Sequence, residues 1–268
     1  GGELLLNPAV YVPEDRKTLL IAISRSGTTT ETIKAVENFL ADDRGEVITI
    51  TNYPTKLSTM GKVNIIIEAG QENSVAQTRS FASMYVAAAT LSIIAAGRQD
   101  LLRSMYDLPA AGNRVIERFE ETARGWGEDL NKNRIYFLGS GILYGLACEV
   151  NLKMKEMSLT HSEPFHFLEF RHGPMSMVNE NTYVVGLLSK TNAKHELQVL
   201  EEMRLKGAQI ISLADDAGEV QFDSGIPEEC QGVLYLPVLQ FMGFFRSLAK
   251  GNNPDRPHNL TAVVKLDL

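Results

Sequence analysis

Short apolar runs of strand length alternate with stretches of helical spacing along most of the chain, and this alternation restricts the fold more than any other feature. Thr18–Ser24 (TLLIAIS) reads as a buried strand, and 30–41 follows at helical spacing. Glu46–Asn52 (EVITITN) and Val63–Gly70 (VNIIIEAG) read as two further strands, and 78–97 as a long Ala-rich helix. A charged helix over 107–127 follows, and the alternation then restarts. Strands are expected at Arg134–Ser140, Thr182–Ser189, Gln209–Ala214 and Gly232–Pro237, and helices over 141–159, 194–206 and 238–250. Strands joined through helices cannot pair as hairpins, so the sheets are expected to be mostly parallel, with helices on their faces.

The two halves have the same outline. TLLIAIS, a helix and EVITITN can be set beside TYVVGLLS, a helix and QIISLA, and each set is followed by another strand and a long helix. Strand–helix–strand units resemble one another in any case, so the outline alone leaves duplication open. The second half opens with an extra strand, glycine turn and helix (RIYFLGSGILYGLACEVNLK) that has no counterpart in the first. The expectation is two tandem α/β subdomains of three αβα layers, flavodoxin-like. The first (1–106) lacks its first strand and helix, as if truncated at the N-terminus. The second spans 107–250, and a tail over 251–268 closes over the active site.

Composition narrows the function. With 44% apolar and 22% charged residues the chain can build a full core. The formal charge of −7 argues against a nucleic-acid partner, whose phosphates repel an acidic surface. The two cysteines, Cys148 and Cys230, form no pair or cluster with ligand spacing, which fits a reducing, cytoplasmic setting. No apolar run reaches the roughly 18 residues that span a bilayer, and no membrane partner is expected. His161, His166, Glu169 and His172 match no zinc spacing, so neither a metal nor a cofactor is expected.

Two constellations carry chemistry. Ser24–Thr32 (SRSGTTTET) joins a strand to a helix and carries five hydroxyls around Gly27: Ser24, Ser26, Thr28, Thr29 and Thr30. Amides and dipole at a helix start favour an anion, and phosphate is the expected ligand. A simple N-cap would need only one of those hydroxyls. A second polar patch, Glu72–Ser80, opens the long helix, and its Ser74, Gln77 and Thr78 are candidates for sugar or phosphate contacts or for capping. Further on, Lys153 and Glu156 share a helix face, and Glu163, Glu169 and His172 follow. Carboxylate, ammonium and imidazole are the groups that aldose–ketose isomerisation uses, to move a proton between C1 and C2, stabilise an enediolate and open the ring. Taken singly, each is equally a surface ion pair or a turn residue.

The blocks SRSGTTTET, SVAQTRSF, LKMKEMSLTHSEPFHFLEFRHGP and KGNNPDRPHNL, in that order, resemble the SIS (sugar isomerase) family, in particular the isomerase half of glucosamine-6-phosphate synthase. The resemblance covers nearly the whole chain. It implies that Ser24, Arg25, Ser26 and Thr29 hold the phosphate, with Ser74, Val75, Gln77 and Thr261 around the substrate. It further implies that Glu156 shuttles the proton beside Lys153, and that His172 assists ring opening across a homodimer interface. The family lysine that forms a Schiff base is replaced here by Ala262, with Lys265 three residues late, and Gln77 replaces a phosphate-shell serine. The implied activity is isomerisation of an amino-sugar phosphate with deamination. Alternatives are a fructosamine-phosphate deglycase, a glutamine–fructose-6-phosphate aminotransferase-like member, or a non-catalytic sugar-phosphate sensor.

Overall fold

The computed structural model describes residues 1–260. They form two compact units, residues 1–92 and residues 93–260, and the division falls in the last turn of one helix.

Unit 1 opens with two short helices, α1 (Gly2–Leu6) and α2 (Pro8–Tyr11). Its framework is β1 (Thr18–Ile23), α3 (Thr30–Ala41), β2 (Gly45–Thr51), β3 (Val63–Ile66) and α4 (Arg79–Ala95). The three strands are parallel, in the order β1-β2-β3. Helix α3 buries Ile33, Val36 and Phe39 at three-residue intervals, one stripe of its surface. That stripe meets Leu20, Ala22 and Val47 on one face of the sheet. The other side chains of β1 are open: Leu19 is 55% exposed, and Ile21 and Ile23 42% each. TLLIAIS is therefore buried on one face only. Among the described residues no strand pairs with the outer edge of β1, so a run composed for a strand with two neighbours lies at the margin of the sheet.

Unit 2 contains α5 (Gln99–Ser104), α6 (Leu108–Glu128), β4 (Arg134–Gly139), α7 (Ile142–Ser158), β5 (Ser162–Phe165), α8 (Phe167–Phe170) and β6 (Thr182–Leu187). It continues with α9 (Ala193–Leu205), β7 (Gln209–Ala214), β8 (Val220–Gln221), α10 (Glu228–Gln231) and α11 (Leu236–Ala249). All five strands are parallel, in the order β5-β4-β6-β7-β8. One face packs α8 and α9 around Tyr136, Leu138, Val184 and Ile210, closed by Phe167 and Phe170. Elsewhere in the unit α11 packs on α6 and α7. A Cβ on Gly127 of α6 would meet the Met242 carbonyl oxygen at 2.6 Å, so the glycine lets the α6 and α11 backbones approach closely. The run β6–α9–β7–β8 repeats the order and the parallel pairing of β1–α3–β2–β3. In unit 2 the extra β4, β5 and α7 precede it, and β6 is buried along its whole length.

One expected element needs correction. Gly232–Pro237 is not a strand: Gly232–Tyr235 is a 3-10 turn that leads into α11. An unbroken apolar run reads the same as buried strand or buried helix, and Pro237 sits in a first helical turn, where its missing N–H costs nothing. The strand's place is taken by β8, two residues long. Strand β5 (SEPF) also escapes pattern reading, because it contains a proline; it forms the sheet edge, where a missing donor is tolerated. Glu228–Ala249 forms a helical stretch long and apolar enough to cross a membrane by length and composition, and 61% of its most apolar window is buried inside the protein, as in a core helix.

Candidate functional site

In unit 1 the turn from β1 into α3 is shaped by Gly27, which has φ +61; a Cβ there would meet Thr55 Oγ1 at 2.3 Å. Thr55 Oγ1 donates to the Ser26 carbonyl (2.5 Å), and the Leu57 amide donates to the Gly27 carbonyl (3.1 Å). The Ser26 and Gly27 carbonyls thus face the segment after β2. Ser24 is buried, shares a hydrogen bond with Thr29 (Oγ to Oγ1, 2.9 Å) and accepts the Gly27 amide (3.3 Å). Ser26 Oγ accepts the Thr28 amide and hydroxyl at 3.1 and 2.9 Å. Thr29 is the N-cap of α3, yet its side chain makes no cap bond, so it does not satisfy the first-turn amides. The structure therefore brings Ser24, Ser26 and Thr29 into one hydroxyl-rich turn at a helix N-terminus.

Arg25 points elsewhere. Its guanidinium donates to the carbonyls of Glu72 (2.6 Å), Ser74 (2.7 Å) and Val75 (3.2 Å), and so ties the turn to the segment before α4. Tyr53 adds a hydroxyl bond to the Glu72 carbonyl (3.0 Å). Ser74 and Val75 are thereby held beside the turn through their backbone. Gln77 receives a long bond from Ser80 Oγ (3.5 Å).

Pattern reading passed over Glu72 as a functional group. Its carboxylate accepts the amides of Thr78 (3.0 Å), Arg79 (3.2 Å) and Ser80 (3.1 Å), the Thr78 hydroxyl (2.9 Å) and the Ser80 hydroxyl. Burial by itself would raise its pKa, but the bonds from Ser80 and Thr78 outweigh burial and hold the carboxyl below its usual range. Glu72 is thus an anion built into the start of α4. An acid shortly before a helix start was the signal for it.

In unit 2, α7 presents Glu149, Lys153 and Glu156 along one stripe, at intervals of four and three. The Lys153 side chain is 3% exposed and Glu156 22%. Lys153 Nζ is paired in close contact with Glu156 Oε2 and lies 3.7 Å from Glu149 Oε1. The surface-pair alternative for Lys153 and Glu156 is thereby removed: this is a buried ammonium between two carboxylates. Glu149 was not singled out in the sequence, although its position four residues before Lys153 was the available clue.

The structure does not bring the other acid–base candidates to this pair. His172 lies in an exposed turn after α8, before Gly173 at φ +120, and among the described residues no hydrogen bond or ion pair joins it to Lys153 or Glu156. Glu163 is exposed on β5 and Glu169 exposed on α8. Among the described residues no group of three or more His, Cys, Asp or Glu side chains could hold a metal ion. Thr261, Ala262 and Lys265 lie outside the described residues.

Against known proteins, the SIS domain matches twice, at residues 10–94 and 130–224. The chain is 31% identical over 272 residues to a glutamine–fructose-6-phosphate aminotransferase (isomerizing) from Pyrococcus horikoshii; the match covers 94% of the chain and 44% of that relative. It therefore spans less than half the length of that relative. Among solved structures it resembles a glucosamine-6-phosphate deaminase from Thermotoga maritima (TM-score 0.84, 24% identity, covering 99% of the chain and 80% of that one). It also resembles a tagatose-6-phosphate ketose/aldose isomerase from Escherichia coli (TM-score 0.82, 24% identity, 96% and 75%).

Proposed function

The chain belongs to the SIS-domain family, and from that premise we propose that it is a phosphosugar isomerase acting on an amino-sugar phosphate, with release of the amino group as ammonia. The observation that carries the proposal is the pairing of a buried Lys153 with a half-buried Glu156. The pair sets a carboxylate that solvent still reaches beside a buried ammonium, so a proton acceptor and a fixed positive charge lie side by side.

In this reading Glu156 takes the proton from C2 of the open-chain amino sugar and returns it to C1. The intermediate is an enolamine: Lys153 offsets the negative charge that develops on O1, which takes up a proton, and the C2 amine gives up one N–H proton as C1 is protonated, leaving the C2 imine. The C2 imine then adds water and expels ammonia, leaving a ketose phosphate. The phosphate is held by the hydroxyls and amides of Ser24, Ser26 and Thr29. Arg25 acts through the segment it ties down, which carries Ser74, Val75 and Gln77, and lends its positive charge. Thr261 is a further substrate contact. His172 assists ring opening from a second copy of the chain in a homodimer. A cytoplasmic setting is part of the proposal, in keeping with the free thiols of Cys148 and Cys230. The likeness to the Pyrococcus aminotransferase supports a second reading, in which the isomerase acts as the sugar-processing part of an aminotransferase.

The test is ammonia release from glucosamine-6-phosphate and its galacto epimer at neutral pH, with Glu156→Gln in parallel. Turnover should fall by roughly 10²–10⁴-fold in the variant, the usual share of a general base, while sugar-phosphate binding persists. Binding without ammonia release from either sugar in the wild type would overturn the deaminase reading and favour the deglycase, aminotransferase-like or sensor alternatives.

A further inference from the structure

The repeated strand–helix–strand order gives unit 2 a turn, between β6 and α9, in the same place as the hydroxyl turn of unit 1. By position alone it is a second anion site. Three of its amides and one hydroxyl, however, are already engaged. The Ser189 amide and hydroxyl donate to the Glu196 carboxylate at 2.7 and 3.0 Å, and Glu196 is 1% exposed. The next amide, that of Lys190, donates to Glu228 Oε1 (2.7 Å), and that of Asn192 donates to Ser189 Oγ (3.1 Å). Beside the turn lies a crevice of about 440 Å³, whose walls include Ser189, Lys190, Asp215, Asp216 and Glu228. It is large enough for a sugar phosphate, and its charge is of the wrong sign for one.

We propose that Glu196 is a resident anion, assisted by Glu228. The two carboxylates fill in unit 2 the place that a phosphate takes in unit 1, so the chain holds one phosphate rather than two. The physical argument is competition for the same donors. A carboxylate tethered four residues into α9 is present at a high effective concentration and pays little ordering entropy. A free phosphate would have to displace it and then sit beside three further carboxylates. Unit 1 differs in kind: its own resident carboxylate, Glu72, accepts the amides at the start of α4 and none in the turn after β1. Glu196 is thus a specificity residue that confines sugar phosphates to one half of a duplicated frame. The inference rests on the phosphate role given above to the turn of unit 1, and the experiment separates the two.

Inorganic phosphate is titrated into the chain while backbone amide resonances are followed. In the wild type the Ser26 and Thr29 amides should shift saturably, and those of Ser189 and Lys190 should not. Saturable shifts at Ser189 and Lys190 in the wild type would overturn the proposal. Silence at Ser26 and Thr29 would instead remove the phosphate role of unit 1. The proposal about Glu196 would then be decided by a second arm, Glu196→Ala combined with Glu228→Gln, its fold checked by circular dichroism. There the Ser189 and Lys190 amides should gain a phosphate-dependent shift. A folded variant in which they stay unmoved would show that something other than these carboxylates excludes the anion. If the variant does not fold, Glu196→Gln, which keeps the shape and removes the charge, is titrated in its place and judged by the same criterion.

Discussion

Glu72 takes the largest share of hydrogen bonds of any single carboxylate described above, and its charge state is tied to stability. Its folded pKa lies below the ordinary value of 4.5. The carboxylate form is therefore favoured by folding; the stabilisation is complete well above 4.5 and fades as pH falls through the lowered value. Glu72→Gln replaces an ionised acceptor with a neutral one and leaves part of the α4 start unsatisfied, at a cost of roughly 1–3 kcal/mol near pH 7. In urea unfolding the gap between wild type and variant should be widest at neutral pH and should narrow below 4.5. A gap independent of pH would show that the charge is not what the cap needs. At this scale the sequence was legible where residues cluster by type. The hydroxyl turn and the Lys153–Glu156 pair are local patterns. The carbonyl-tying role of Arg25 was not legible, because it reaches residues about fifty positions away that only folding brings near, whereas the Glu72 and Glu149 carboxylates pair within eight residues of themselves and had local signals that pattern reading passed over.

Among the elements, β1 shows how a neighbour changes what a strand means. In a parallel ladder successive residues turn their amides to opposite sides. The Thr18 and Ser24 amides donate toward β2, to the carbonyls of Arg44 and Ile50, so those of Leu19, Ile21 and Ile23 face the edge that pairs with no strand among the described residues. In native-state hydrogen exchange the amides of Leu19, Ile21 and Ile23 should exchange far faster than those of Leu20 and Ala22. Strand β6, paired with both β4 and β7, should show no such alternation. Uniform protection along β1 would mean that its edge is covered in solution. Strand identity was legible in TLLIAIS and TYVVGLL alike, but the strand order was not, and order decides which faces are buried. The same lack of tertiary information turned GVLYLP into a strand on paper: composition records burial, while the partner decides between extended and helical backbone.

For the molecule as a whole, the doubled frame was legible from the recurrence of strand, helix and strand, but the unequal completeness of the two copies sets their stabilities. Among the described residues unit 1 has three strands with apolar side chains left in water, and unit 2 has five with β6 fully buried. Unit 1 should therefore unfold at the lower denaturant concentration. The one tryptophan, Trp126 on α6, reports on unit 2. Far-UV circular dichroism should lose amplitude before Trp126 fluorescence changes, and coincident transitions would show that the units unfold together. The open edge of β1 also matters during synthesis. Unit 1 emerges from the ribosome ahead of unit 2, and at about 5–20 residues per second its strands wait on the order of ten seconds before β8 is made. Through that interval Leu19, Ile21 and Ile23 are apolar side chains open to water, the kind of transiently exposed surface that invites aggregation before the rest of the chain is made.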